Sequence, residues 1–122
     1  MIFLRVFIFS ISVFFISSPS YAVRFSGDYL MKMCITDENG REYTLNGSMV
    51  CQAYIAGLLD YHNLLRSLGT APGIDFCVPD DVGLNEMQVR VASYIFKKQQ
   101  NHGAFIASPG VALALFDSYP CK

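Results

Sequence analysis

Several things are scarce in this 122-residue chain, and each scarcity removes a class of function. Basic residues number nine against ten acidic ones, with no stripe of Lys or Arg that could neutralise a run of phosphates, so nucleic acid is excluded as a partner. Lys97-Lys98 alone reads as a solvated helix end. No Cys-x-x-Cys pair occurs: the four cysteines are 17, 26 and 44 residues apart, which argues against zinc. No G-x-S-x-G, H-E-x-x-H, phosphate-binding glycine loop or EF-hand spacing is present, and the only histidines are His62 and His102. The sequence therefore offers no catalytic constellation, and no metal or cofactor is expected. Sustained two-residue alternation of apolar and polar residues is absent too, which removes half-buried strands and leaves a mainly α domain.

What is present begins with a leader. Arg5 precedes an apolar stretch from Val6 to Ile16, and Ser17-Ser18-Pro19-Ser20-Tyr21-Ala22 supplies small residues for cleavage after Ala22. Residues 1–22 thus read as a signal peptide, the stretch being shorter than the roughly 20 apolar residues of a membrane span. Residues 23–122 make one exported domain, with no membrane attachment once the leader is removed. Losing Arg5 leaves eight basic residues against ten acidic ones.

Four helical segments follow. The first opens at Ser26 as N-cap and ends near Ile35, with Tyr29, Leu30, Met33 and Cys34 on its apolar side. The second opens at Ser48 and runs to about Leu68 before Gly69, with a stripe of Cys51, Tyr54, Ile55, Leu58, His62 and Leu65. Gly57 inside it implies close approach by a neighbouring helix. A loop from Gly69 to Gly83 leads to a third helix, Leu84 to Gln99, with Leu84, Met87, Val91, Tyr94 and Ile95 inward and Glu86, Gln88, Arg90, Lys97 and Lys98 toward water. The last helix admits two readings: Ser108 caps a helix that starts at Pro109, which is favoured, or a longer helix from Ala104 to Tyr119 is kinked there. Val111, Leu113, Ala114, Leu115 and Phe116 are its core residues.

Cys34, Cys51, Cys77 and Cys121 are even in number and all lie after the leader, so disulfides are expected. Three pairings are possible. In an up-down bundle Cys34 and Cys51 share one end and Cys77 and Cys121 the other, which favours Cys34 with Cys51 and Cys77 with Cys121. Each would stabilise the fold by roughly 3 to 4 kcal/mol by constraining the unfolded chain. The expected architecture is a small all-α bundle of about four helices stapled by two disulfides.

Four blocks in order resemble the Rap/Tai immunity protein family: Gly27-x-x-Leu30-x-x-x-Cys34, Cys51-x-x-Tyr54-Ile55-x-Gly57-x-x-Asp60, Phe76-Cys77-Val78-Pro79, and Ala114-Leu115-x-x-x-Tyr119-Pro120-Cys121. They cover nearly all of the chain after the leader. The resemblance implies a periplasmic helical protein, often a homodimer, that protects its cell from peptidoglycan-cleaving amidase effectors of type VI secretion systems by occluding the amidase active site. The blocks do not name the contact residues. Exposure and irregularity point to the Ala71–Gly83 loop with the start of the third helix and to the Gln99–Ser108 segment, and within them to Asp75, Asp80, Asp81, His102 and Phe105 as partner-binding residues. Tyr43 and Tyr61 are further candidates for exposed anchors. The competing reading is a small periplasmic acid-stress chaperone of broad substrate range.

Overall fold

Ser26 has extended backbone, and its hydroxyl accepts the Tyr29 amide at 3.1 Å, which starts helix α1 (Gly27–Cys34) where the sequence places it. The structure, a computed structural model, describes residues 24–70 and 72–122; the expected leader, residues 1–22, lies outside them. Leu30, Met33 and Cys34 are buried, but Tyr29 is turned outward, its ring edge-on to Phe25 at 5.0 Å. The first amides of α1 would lack acceptors within the helix. Gly27 donates instead to the Phe105 carbonyl at 2.9 Å and Asp28 to that of Gly103 at 2.8 Å.

A tight turn separates α1 from α2 (Gly47–Ser67). One Asp37 oxygen accepts the Asn39 and Arg41 amides at 2.9 and 2.8 Å, and the other pairs with Arg41 Nε at 3.0 Å. The Arg41 amide bond above all holds the Asp37 carboxyl below its ordinary value. The start of α2 differs from the expected one. Asn46, in left-handed backbone at φ 59°, takes the N-cap position, and the Ser48 amide is held by Glu42 Oε1 at 2.9 Å. Gly47 is required next to it, since a Cβ there would sit 2.6 Å from the Met33 carbonyl oxygen. The far end follows expectation: Gly69 at φ 72° donates to Arg66 and Thr70 to Leu65, the glycine-terminated helix stop. Among the described residues no helix approaches Gly57, which is exposed and has open space where a side chain would project.

Helix α3 (Leu84–Lys97) is the central element, packing against α1, α2 and α5 through Met87, Val91, Ala92 and Ile95. Gln88 was expected in water and is 6 % exposed. Its Nε2 donates to the Cys34 carbonyl at 2.8 Å and to Ser48 Oγ at 3.0 Å, while its Oε1 accepts from Gln52 Nε2 at 2.9 Å. A fully partnered amide can be buried at little cost, and this one ties three helices together. The helix stops at Lys97, two residues early, because Lys98 leaves helical geometry; a single turn, α4 (Gln99–His102), follows.

Neither reading of the last helix holds. Helix α5 (Ala107–Ser118) starts before Pro109, which becomes its third residue. Amides in the first turn have no acceptor inside the helix, so the missing N–H costs nothing and no kink is needed. Ala107, Val111, Ala114 and Leu115 are buried, Leu113 is partly so and Phe116 is exposed. Among the described residues β pairing is confined to isolated bridges, and two disulfides close the all-α bundle: Cys34–Cys51 and Cys77–Cys121, as helix order favours.

Two glycines should respond oppositely to alanine. Gly27→Ala drives a Cβ onto the His102 carbonyl oxygen and should lower unfolding free energy by about 1–3 kcal/mol, whereas Gly57→Ala should raise it by about 1 kcal/mol, both read from urea unfolding. For Asp37 the folded value is depressed, so its contribution is present above the unfolded-chain value and is lost as pH falls through the lowered one. An NMR titration should therefore show the Asn39 and Arg41 amide shifts moving at a pH below that of an unperturbed aspartate.

Candidate partner-binding groove

Helix α2 carries an inner stripe and a second, outward set of apolar residues. The inner stripe buries Cys51, Ile55 and His62. Tyr61, Leu64 and Leu68 stand outside it, with Tyr61 62 % exposed. Such residues would normally be covered by the next helix, yet α5 reaches α2 only sparingly. The space between them is an apolar groove of about 410 Å³, walled by Leu58, Tyr61 and Leu65 of α2, by Ile74 and Phe76 of the following loop, and by Pro109 and Ala112 of α5. A second hollow of about 390 Å³ joins it at Leu58, Tyr61 and Ser108 and extends to Ala53, Tyr54 and Gly57. The lack of a side chain at Gly57 is part of what keeps this end open.

The loop wall is fixed from beneath. The Phe76 ring stacks on the His62 imidazole with centroids 3.8 Å apart and planes 14° from parallel. His62 is 5 % exposed, and its Nε2 lies 2.9 Å from Asp75 Oδ1. The carboxylate can only accept, so Nε2 carries the proton and donates to it. The Phe76 amide lies 3.4 Å from the same nitrogen, but an Nε2 that carries a proton has no lone pair to accept it, so the bond to Asp75 is the one that counts. Arg66 Nε approaches Asp75 at 3.7 Å from the exposed side. At the other end, burial pushes the Tyr54 phenol above its ordinary value, with a hydrogen bond to Ser108 acting in the opposite direction.

A family model described as Rap1a immunity proteins matches residues 26–121. The chain belongs to this family. No curated protein and no solved structure matches it. In this immunity protein the Rap/Tai blocks are largely scaffold: they contain both disulfides, buried Leu30, Ile55, Ala114 and Leu115, and Phe76 under the groove.

The residues expected to bind a partner do not form one site. Asp75 does not line the groove: it bonds His62 beneath it and faces a separate hollow with Arg66, Gly69, Thr70 and Pro72. Asp80 and Asp81 are exposed in the turn before α3 and do not line the groove. His102 is partly buried beneath the start of α1, its carbonyl against Gly27, and the Gln99–Ser108 segment around it supplies the acceptors for that helix. Phe105 is exposed on this segment, and Tyr43 and Tyr61 are exposed as expected. From sequence, Leu58 reads as a core residue and Pro109 as a helix start, and nothing marks Ile74, so none of the three reads as a partner contact. The available signal was Gly57 on a helix whose outer face carries Tyr61, Leu64 and Leu68. Among the described residues no cluster of His, Cys, Asp or Glu could hold a metal ion, and no helix is long and apolar enough to cross a membrane.

Removing the Asp75 carboxylate strands a buried imidazole proton, so Asp75→Ala should lower stability by about 1–3 kcal/mol. Tyr61→Ser, at an exposed site, should change it by less than about 0.5 kcal/mol. Thermal unfolding of the two variants beside the parent measures both.

Proposed function

We propose that this chain is a periplasmic immunity protein that binds a type VI secreted peptidoglycan amidase and occludes its active site, performing no chemistry of its own. The observation that carries this is the match of residues 26–121 to the immunity family, which spans nearly the whole described chain. Two disulfides in so short a domain suit an oxidising compartment, and residues 1–22 supply the expected route of export. A homodimer, which the Rap/Tai resemblance implies, is part of the proposal.

The α2–α5 groove is the surface we assign to the effector. Tight complexes rest on a few aromatic or apolar anchors set in desolvated pockets with walls that do not move on binding. Tyr61 at the groove's mouth, with Leu58 and Ile74 beside it, has that form, and the His62–Phe76 stack makes its floor rigid.

Directing a panel of type VI amidases to the periplasm of a host cell, with and without the protein, tests the reading. Rescue from lysis by one amidase is the expected result, lost when residues 1–22 are deleted. Tyr61→Asp should abolish rescue while leaving the unfolding temperature unchanged. Failure to rescue from any amidase, together with suppression of client aggregation in acid, would instead support the chaperone reading.

A further inference from the structure

The two disulfides have different surroundings. Cys34 and Cys51 are 3 % and 0 % exposed, enclosed between α1 and α2. Cys77 and Cys121 are both partly exposed, and an open hollow of about 460 Å³ lies beside Cys77, lined also by Pro79, Ser118, Tyr119, Pro120 and Lys122. Arg66 Nη1 is 3.3 Å from Cys77 Sγ. A disulfide sulfur is only a weak acceptor for a guanidinium N–H, but the guanidinium stabilises the negative charge that appears on that sulfur when the S–S bond breaks.

We propose that Cys77–Cys121 is a thiol–disulfide exchange site for a dithiol reductant, whereas Cys34–Cys51 is inert under native conditions. One thiolate of the dithiol attacks Cys121 Sγ; the new S–S bond forms as the Cys77–Cys121 bond breaks, and the electron pair leaves on Cys77 Sγ beside Arg66. The second thiolate of the dithiol then attacks its partner sulfur in the mixed disulfide and expels Cys121 as a thiolate. The dithiol ends oxidised to a disulfide, and this chain ends with two thiols after Cys77 and Cys121 take up protons from water. Exchange is faster the better the leaving thiolate is stabilised, which is the role of Arg66.

The bond closes a strap. Cys77 donates its amide to the Tyr119 carbonyl at 2.8 Å, and Phe76 pairs with Pro120, so the disulfide clamps the segment that carries the groove wall. Reduction would leave that wall held by the Phe76–His62 stack, the His62–Asp75 hydrogen bond and the short backbone pairing beside Tyr119. The consequence for partner binding rests on the function proposed above; the exchange chemistry does not.

The test treats the oxidised protein with dithiothreitol under native conditions, quenches with an alkylating agent over time, and locates the modified cysteines by peptide mass spectrometry. Cys77 and Cys121 should be modified at least about tenfold faster than Cys34 and Cys51. Arg66→Met should slow the first pair several-fold and Arg66→Lys should retain most of the rate, with Cys34 and Cys51 reporting any general unfolding. Equal rates for the two disulfides, or a rate at Cys77–Cys121 indifferent to Arg66→Met while Cys34 and Cys51 remain protected, would overturn the proposal.

Discussion

The Phe76 ring lies flat on the His62 imidazole, and the position of the long loop between α2 and α3 depends on that contact. A buried imidazole needs a partner for its proton, and Asp75, one residue before Phe76, provides it. One helix residue thus pins two consecutive loop residues, one by stacking and one by a hydrogen bond. The next residue, Cys77, is bonded to Cys121 after α5. Three successive positions are thereby fixed to α2 and to the chain beyond α5, and the groove between those helices keeps its shape although the helices touch little. A groove that needs no rearrangement to receive a partner loses less free energy on binding than one that must be ordered first.

The rest of the bundle makes this possible. Helix α3 packs against α1, α2 and α5 alike, so α2 and α5 need not close on each other to form a core. Gln88 fastens the Cys34 end of α1 and the first turn of α2 to α3, on the same side of the molecule as the Cys34–Cys51 bond. The two ends are held differently: one by a buried disulfide with a satisfied amide beside it, the other by an accessible disulfide with an arginine against its sulfur. The first arrangement is structural, and the second leaves the groove wall open to chemical control.

Local signals were legible in the sequence where a neighbour in the chain sets the outcome. Ser26 caps α1, Gly69 stops α2, and helix order selects the disulfide pairing. Features set by residues distant in the chain were not. Gln88 is drawn inward by partners 36 to 54 residues away, and even the nearby cap of α2 passes from Ser48 to left-handed Asn46 with Glu42 holding the Ser48 amide. His62 finds Asp75 thirteen residues on, across a helix end, so a residue that exposure and irregularity assign to partner binding also supports the fold. Gly57 stands out in a helix interior, but it marks an opening rather than a packed crossing. The groove itself required two helices and a loop to be placed together, which periodicity along one chain segment does not specify.

The central claim is that the α2–α5 groove is the face presented to the effector. Hydrogen–deuterium exchange on the complex with the amidase from which the protein gives rescue tests it most directly. The account predicts that amides of residues 57–65, 72–76 and 107–112 gain protection on binding. A footprint confined to the outer face of α3, around Val89 and Phe96, with the groove unchanged, would contradict it.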